Sequence, residues 1–304
     1  MTSQCRYFYS CYGFLIESEF FLPELDPAPQ GDADIIVSNR PDVLLNEQPP
    51  EGGQPAFLPD LQIFDFANVA RLEIHNATEI RVGLRPGISE DCLGLPLLGP
   101  VLATLMHYRG RLVIHGSAIV VGHELWGFVG DRGAGKSTMA AFLIRQGFPL
   151  FNDDLISIGF PSDSAPVAHP GYAATKIMKQ AFDRVGGLEG DILETGGLPY
   201  KKMRIRLAQK PTSEAMPLSR LCLLKRGETA SLQEKSEREE LNAVFQHIYM
   251  RKYGAAPAAD GRAQAWFEQS AALVKTTPVN VLTVPSTLDR MPEAVELVSK
   301  SAGL

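Results

Sequence analysis

The segment that most constrains this chain is GDRGAGKST, residues 130–138. Gly130, Gly135, Lys136 and Ser137 satisfy the spacing GxxxxGK followed by Ser or Thr. The apolar run ELWGFV precedes this segment, and the amphipathic run TMAAFLIRQ follows it. A strand, a glycine-rich loop and a helix in this order are typical of a phosphate-binding loop. The sequence therefore predicts a nucleotide site here.

Each residue type in this loop has a chemical reason. Glycines let backbone N–H groups turn inward around phosphate oxygens, because a side chain there would block close approach. Lys136 supplies a positive charge for the β- and γ-phosphates, and the Ser137 hydroxyl suits Mg²⁺. We therefore expect ATP and Mg²⁺ as cofactors. The residues expected to bind the nucleotide are Gly130, Asp131, Arg132, Gly133, Ala134, Gly135, Lys136, Ser137 and Thr138.

Motifs that the chain lacks narrow the class of nucleotide-binding protein. The sequence contains no NKxD-type reader of guanine, no LSGGQ-like signature, and no HRD or DFG motif. Small kinases and one unusual family of protein kinases remain as candidate classes.

Two adjacent carboxylates follow the predicted helix of the phosphate loop. Asp153 and Asp154 come directly after the short apolar strand PLFN, and ligands bind at the carboxyl edge of such sheets. Beside magnesium and phosphate, one acid can hold the metal while the other takes a proton from an attacking hydroxyl. We expect Ser137 and Asp153 as metal contacts, while the residues alone leave open which of Asp153 and Asp154 is the base. A structural role for Asp154, capping a turn before LISI, stays open.

One histidine joins this group of candidate catalytic residues. His115 precedes Lys136 by 21 residues, in a strand expected to neighbour the strand that leads into the loop. A lone histidine is more often a satisfied buried or edge residue, but a nearby pair of acids and a phosphate site favours a functional role. Asp154, Asp153, His115 and Lys136 are therefore the predicted catalytic residues.

The pattern of strands and helices predicts an α/β chain with two domains. Residues 1–91 alternate apolar and polar residues as short strands do, and they predict a smaller β-rich N-terminal domain that would hold the substrate. Residues 92–304 open on an apolar helix and continue as the phosphate-loop domain. Strands are predicted at Leu112–His115, Ser117–Val121 and Leu125–Val129.

Composition argues against several classes of partner. The 29 basic and 35 acidic residues give a net charge of −6, which offers no basic field for nucleic acid. No apolar run is long enough to span a membrane or to serve as a secretory leader, so we expect a cytoplasmic protein. Oligomerisation is left open. The charged segment at residues 225–240 is expected to be solvated, and we assign it no chemistry.

Three segments together resemble a known kinase family. IHGSAIVV, GDRGAGKST and RQGFPLFNDD, in this order and at this spacing, resemble the catalytic core of bacterial HPr kinase/phosphorylase. The resemblance implies a P-loop kinase domain of the HPr-kinase type. It implies phosphate and metal contacts at Lys136 and Ser137, proton transfer to Asp154 with Asp153 beside it, and His115 as the support of that acid.

The chain departs from that family after the two aspartates. GYAATKIMKQAFDRVGG stands where the family has a glutamate-bearing RGLGI signature. YGFLIESEFFLPEL, HYRGRLVIHGS and LPYKKMRI resemble instead the HPr-kinase-related proteins, some of which accompany lasso peptide biosynthesis. That resemblance implies phosphorylation of a serine hydroxyl near the C-terminus of a precursor peptide. It matches Lys201 and Lys202 to a phosphate- or peptide-contacting lysine, although a solvated surface pair is an equal alternative.

These observations lead to one expected function and two alternatives. We expect an ATP-dependent serine kinase that acts on a peptide or small protein, with a lasso peptide precursor as the favoured acceptor. A small-molecule kinase would use the same groups on a different acceptor. A nucleotide-binding regulator would grip ATP and transfer nothing.

Overall fold

The computed structural model describes residues 5–45, 54–196, 200–209, 214–259 and 261–304. Within them the chain is a mixed α/β protein with three sheets. The first sheet runs in the order β3-β1-β2-β4-β8-β7-β6-β5. Its strands are β1 (Tyr7–Cys11), β2 (Phe14–Ser18), β3 (Asp26–Pro27), β4 (Ile35–Asn39), β5 (Ala56–Phe57), β6 (Leu61–Phe66), β7 (Ala70–His75) and β8 (Glu79–Leu84).

A buried helical segment follows the first sheet. It comprises a 3-10 turn at Glu90–Cys92, α1 (Gly94–Pro96), a π turn at Leu97–Val101, and α2 (Leu102–Tyr108). Proline removes a hydrogen-bond donor and crowds the preceding turn of a helix, and Pro100 lies inside the wider π turn. The apolar helix predicted from the sequence is therefore present, with its irregular start explained by proline.

The second sheet leads into the predicted phosphate loop, which follows its strand β10. Its strands close on themselves, because β10 pairs with both β9 and β17 while β12 and β13 connect β9 to β17. The strands are β9 (Leu112–Val121), β10 (Glu124–Val129), β11 (Leu150–Asn152), β12 (Leu155–Gly159), β13 (Val167–His169), β17 (Met216–Gly227), β18 (Ser231–Glu234) and β19 (Val279–Pro285).

The two strands predicted at Leu112–His115 and Ser117–Val121 are wrong as separate elements. They form the single strand β9, and Gly116 lies inside it. A Cβ at Gly116 would lie 2.6 Å from the carbonyl oxygen of Phe128 on the neighbouring strand, so glycine permits close strand packing rather than a turn.

A third, three-stranded sheet stands beside the phosphate loop. It runs β14-β16-β15, with β14 (Ala174–Met178), β15 (Gly190–Leu193) and β16 (Lys202–Leu207). The remaining helices are α3 (Lys136–Arg145), α4 (Lys179–Val185), α5 (Glu237–Gln246), α6 (Arg262–Val274) and α7 (Met291–Ser301), with 3-10 turns at Pro41–Leu45, Tyr249–Tyr253, Ala256–Ala258 and Leu288–Arg290. Among the described residues, no helix is long and apolar enough to cross a bilayer.

Two apolar clusters form the core. The first joins residues of the N-terminal sheet, such as Ile16 and Leu72, to Leu102 of α2 and Ile114 of β9. The second cluster packs α3, α4 and α7 against the second sheet, at β9, β10, β17 and β19. Burial of these side chains is the main favourable contribution to folding. The N-terminal sheet therefore shares its core with the segment that follows residue 92.

A buried ion pair ties the N-terminal segment to the three-stranded sheet. Arg204 of β16 pairs with Glu24, and their side chains are 2% and 6% exposed. Arg204 also donates hydrogen bonds to the carbonyl oxygens of Glu194 at 2.6 Å and Asp91 at 3.1 Å. Four separate chain segments therefore meet at one guanidinium.

We expect Arg204→Met to lower the free energy of unfolding by about 3 kcal/mol, because it leaves the Glu24 carboxylate buried without its charge partner. Urea unfolding followed by tryptophan fluorescence measures the loss. Arg184→Met is the control, since Arg184 and its partner Asp289 are exposed and such pairs contribute about 1 kcal/mol or less. Equal losses in the two variants would contradict this account.

Candidate active site

The phosphate loop spans residues 130–135, between the end of β10 and the start of α3. Gly130, Gly133 and Gly135 have positive φ angles of 148°, 86° and 105°. Residues with a side chain rarely adopt these angles, so the three glycines are needed for the shape of the loop. A Cβ at Gly130 would also lie 3.0 Å from the carbonyl oxygen of Leu224.

The loop lysine is held by the loop itself. Lys136 is 9% exposed, and its Nζ donates hydrogen bonds to the carbonyl oxygens of Gly130 at 2.8 Å and Asp131 at 3.2 Å. Burial lowers the pKa of Lys136, and the positive charge of Lys202 lowers it further. A bound anion would oppose both effects and stabilise the ammonium form.

The loop opens onto a cavity of about 770 Å³. This volume is in the usual range for small-molecule sites. Of the predicted residues, nine line the cavity: His115, Arg132, Gly133, Gly135, Lys136, Ser137, Thr138, Asp153 and Asp154. Gly130, Asp131 and Ala134 are not part of its lining; Gly130 and Asp131 hold Lys136, and Ala134 is buried in the second apolar cluster.

The two aspartates occupy a break in one strand. Both β11 and β12 pair antiparallel with β9, so Asp153 and Asp154 interrupt what would otherwise be a continuous strand. Asp154 has a φ of 75°, which is rare for a residue with a side chain. Residues held in such rarely populated backbone conformations are enriched at functional sites.

Asp153 is fixed by three hydrogen bonds. Its Oδ1 accepts from the Ser117 hydroxyl at 2.7 Å, and its Oδ2 accepts from the Thr175 hydroxyl at 2.7 Å and from the Lys176 backbone N–H at 3.0 Å. The residue is 4% exposed. Since a carboxylate has about four acceptor positions, one position on Oδ1 is left for a metal or a metal-bound water.

Asp154 is held by charges instead. Its Oδ2 lies 2.8 Å from Lys176 Nζ, and its Oδ1 lies 3.4 Å from His115 Nδ1. Burial raises the pKa of Asp154, but the positive charge of Lys176, followed by that of His115, outweighs burial and holds this pKa well below its usual range. Its side chain is 26% exposed, so the ionised carboxylate still reaches the cavity.

His115 is oriented by the backbone at the same break in the strand. Its Nδ1 lies 2.9 Å from the Asp154 carbonyl oxygen, which can only accept, so Nδ1 carries the proton. Burial lowers the pKa of His115, while the negative charge of Asp154 opposes this effect. The Asp154 backbone therefore fixes the histidine ring beside the carboxylate.

Lys176 is a functional candidate that the sequence analysis missed. It belongs to GYAATKIMKQ, where the chain departs from the family it resembles, and β14 brings it to Asp154 across 22 positions of sequence. Burial lowers the pKa of Lys176, but the charge of Asp154 outweighs it and raises this pKa above its usual range. The alternation of the segment indicates a strand, but nothing local indicates that the strand passes Asp154.

Arg226 is the second candidate that the sequence analysis missed, and it lies in the segment 225–240 to which that analysis assigned no chemistry. Arg226 lines the cavity, and its Nη2 lies 2.9 Å from where a Cβ of Gly135 would stand. Its Nη1 donates to the carbonyl oxygen of Pro285 at 3.0 Å. β17 runs parallel to β10, so its carboxyl end reaches the phosphate loop. A basic residue after the apolar run LCLL is a signal for this placement.

The cavity is cationic although the chain is acidic overall. Its lining contains Asp153 and Asp154 together with six basic residues: Arg132, Lys136, Lys176, Lys201, Lys202 and Arg226. Lys201 and Lys202 therefore stand on the cavity wall. Because like charges repel one another without a counter-charge, this lining suits a polyanion such as a nucleoside triphosphate.

The donor set also fits Mg²⁺ when phosphate is present. No three His, Cys, Asp or Glu residues among those described form a metal-binding group. Mg²⁺ is commonly held by one or two carboxylates together with phosphate oxygens and waters. Ser137, Asp153 and Asp154, which line the same cavity, supply oxygens of this kind.

Comparison with known proteins finds distant likeness to solved structures alone. No family model and no curated protein matches the chain. Among solved structures, the HPr(Ser) kinase/phosphatase from Coxiella burnetii matches 63% of this chain and 97% of its own, with 11% identity and a TM-score of 0.32.

We expect Lys176→Met to raise the pKa of Asp154, because burial then acts without its main opposing charge. Carboxyl-detected NMR titration of the full chain measures this pKa directly. Asp154 in the native protein stays ionised down to acid pH, whereas in the variant it takes up a proton at higher pH.

Lys179→Met is the matched control. Lys179 pairs with Asp183 on the exposed face of α4, and its side chain is 75% exposed. An unchanged Asp154 titration in Lys176→Met would contradict the electrostatic role of Lys176.

Proposed function

We propose that this protein is an ATP-dependent kinase that phosphorylates a serine hydroxyl of a peptide or small protein. The observation that carries the proposal is the meeting of the phosphate loop and the ionised Asp154 in one cavity. A proton acceptor beside a triphosphate site suits phosphoryl transfer to a hydroxyl. The favoured acceptor is a lasso peptide precursor near its C-terminus, on the strength of the sequence resemblance.

The chemistry requires two bonds to form, an O–H bond on Asp154 and an O–P bond on serine, and two to break. The serine O–H bond breaks as its proton passes to Asp154. The serine oxygen bonds to the γ-phosphorus, and the bond from that phosphorus to the bridging oxygen of ADP breaks. Asp154 Oδ1 is the better proton acceptor of its two oxygens, since Oδ2 accepts from Lys176. His115 lies beside this oxygen, since its Nδ1 is 3.4 Å from Oδ1 and is bonded to the Asp154 carbonyl oxygen.

Basic side chains stabilise the negative charge of the transferring group. Lys136, Lys202 and Arg226 line the same cavity, and the charge of Lys202 lowers the pKa of Lys136. Groups held in position before the reaction stabilise developing charge without reorganisation. Most of the rate enhancement would therefore come from positioning and electrostatics.

A bound Mg²⁺ would supply positive charge that neutralises part of the charge of the phosphates. Ser137 and the free acceptor position of Asp153 are the groups that would hold it. Asp153 is the better metal contact of the two aspartates, because Lys176 already occupies Oδ2 of Asp154.

A small-molecule acceptor is the second candidate, and the concave shape of the site favours it. The cavity of about 770 Å³ is large enough for a nucleotide with a small second substrate beside it. A peptide needs in addition an open route for its flanking residues.

We expect Asp154→Asn to bind ATP normally and to lower the transfer rate by about 10²- to 10⁴-fold, the usual contribution of a positioned base. The amide keeps the shape and loses the proton acceptor. Nucleotide binding by calorimetry and transfer of labelled phosphate are measured side by side.

Asp183→Asn is the control for the Asp154 variant, since Asp183 is exposed on α4. A fully active Asp154→Asn enzyme would exclude Asp154 as the base and leave Asp153 as the candidate.

The acceptor is tested by incubating the protein with Mg²⁺, ATP and a lasso precursor peptide, with HPr as a parallel substrate. We expect one added phosphate on a serine near the peptide C-terminus and none on the enzyme, because the mechanism needs no covalent enzyme intermediate. Mass spectrometry of all three proteins reads out the result. Phosphate on HPr alone, or hydrolysis of ATP with no modified acceptor, would reject the peptide assignment.

A further inference from the structure

The 3-10 turn Tyr249–Tyr253 forms a second surface, which contacts His115 from outside the phosphate cavity. The 3-10 turn Tyr249–Tyr253 is fixed to β9, since the His115 N–H donates to the carbonyl oxygen of His247 at 2.9 Å and Ile114 bridges Ile248. The buried ring of Tyr249 lies 5.9 Å from the ring of His115, edge to face. Tyr249 and the other residues of this turn do not line the phosphate cavity.

Lys252 stands on this turn in a fixed position. Its Nζ lies 3.6 Å from the ring centre of Tyr249 and 4.9 Å from that of Tyr253. Attraction between an ammonium group and aromatic faces restrains a side chain that would otherwise be mobile. Among the described residues, none forms an ion pair with Lys252. The ammonium group of Lys252 therefore lies beside His115 and Asp154, with no carboxylate partner among the described residues.

The charges around Lys252 determine which ligand it suits. Burial lowers the pKa of Lys252 to about 8, and the charge of Asp154 raises it while that of Lys176 lowers it. Lys252 and His115 both contact the ring of Tyr249, at 3.6 Å and 5.9 Å, and Asp154 lies 3.4 Å from His115. The single negative charge of Asp154 is already paired with Lys176 at 2.8 Å. The surroundings leave an excess of positive charge, which favours an anion over a cation.

We propose that Lys252, held on the rings of Tyr249 and Tyr253, binds a carboxylate that the acceptor carries close to its reacting hydroxyl. This inference rests on the proposed kinase function, since it assumes that the hydroxyl lies at Asp154. The chemical class is a hydroxyl compound with a neighbouring carboxylate. In a peptide, that carboxylate is either the chain terminus or the side chain of an adjacent acidic residue.

Three peptides of otherwise identical sequence test the proposal with the full-length protein, Mg²⁺ and ATP. The first ends in serine with a free carboxylate, the second ends in the same serine as an amide, and the third is the amide with glutamate before the serine. We expect the amide without glutamate to have a KM about tenfold higher than the first peptide, since a charge-assisted contact is lost. Rescue by the glutamate peptide would assign the contact to any nearby carboxylate, and no rescue would assign it to the chain terminus.

Lys252→Met keeps the aliphatic stem and removes the charge. We expect this variant to lose the preference, so that the KM ratio between the amide and the free acid falls from about ten to about one. Arg251→Met is the matched control, because Arg251 stacks on Phe245 at 4.5 Å, away from His115, and should keep the preference. A preference that is unchanged in Lys252→Met would overturn the proposal.

Binding without turnover separates this proposal from the proposed function. Lysines of the intact protein are labelled by reductive ¹³C-methylation, and the Lys252 resonance is assigned by its absence in Lys252→Met. The same three peptides are then titrated in the presence of Mg²⁺ and ADP. A Lys252 shift with the free-acid peptide and none with the plain amide supports the carboxylate site even if no peptide is phosphorylated. Equal shifts, or none, would overturn it.

Discussion

Strand β9 is the element on which the arrangement of the site depends. One of its edges pairs with β10, whose end becomes the phosphate loop, and the other pairs with both β11 and β12. The strand itself carries His115 and Ser117, which contact the two aspartates. A shift of one residue in this pairing would turn every side chain to the opposite face. The register of β9 therefore sets the relative positions of the loop, the histidine and both acids.

The two adjacent aspartates differ in the groups that compensate their buried negative charge. A buried carboxylate is costly unless hydrogen bonds or charges compensate it. Asp153 is compensated by hydroxyl and backbone donors, which fix it tightly. Asp154 is compensated by the ammonium group of Lys176, which leaves its second oxygen beside His115 and the cavity. The break in the strand, where Asp154 has a φ of 75°, allows both arrangements at consecutive positions.

Local patterns predicted the parts of the site that are close together in sequence. The phosphate loop and its helix depend on glycine spacing and apolar periodicity, which residues 124–145 contain in full. Lys176 and Arg226 come from strands far along the chain, and their placement depends on pairings that no local pattern encodes. The separate strands expected on either side of Gly116 were wrong for a related reason. Glycine there is required by the neighbouring strand and not by a turn.

The three-stranded sheet connects the N-terminal part of the chain to Asp154 of the candidate site. Lys176 of β14 and Arg204 of β16 are directly paired across the sheet, so two positive charges share one of its faces. Like charges opposite each other destabilise a sheet unless each has its own counter-charge. Asp154 supplies one from the break between β11 and β12, and Glu24 supplies the other from the segment after β2. The strand that holds Asp154 ionised is thus held in turn by an acid of the N-terminal region, and the two parts of the chain are joined electrostatically as well as through their shared apolar core.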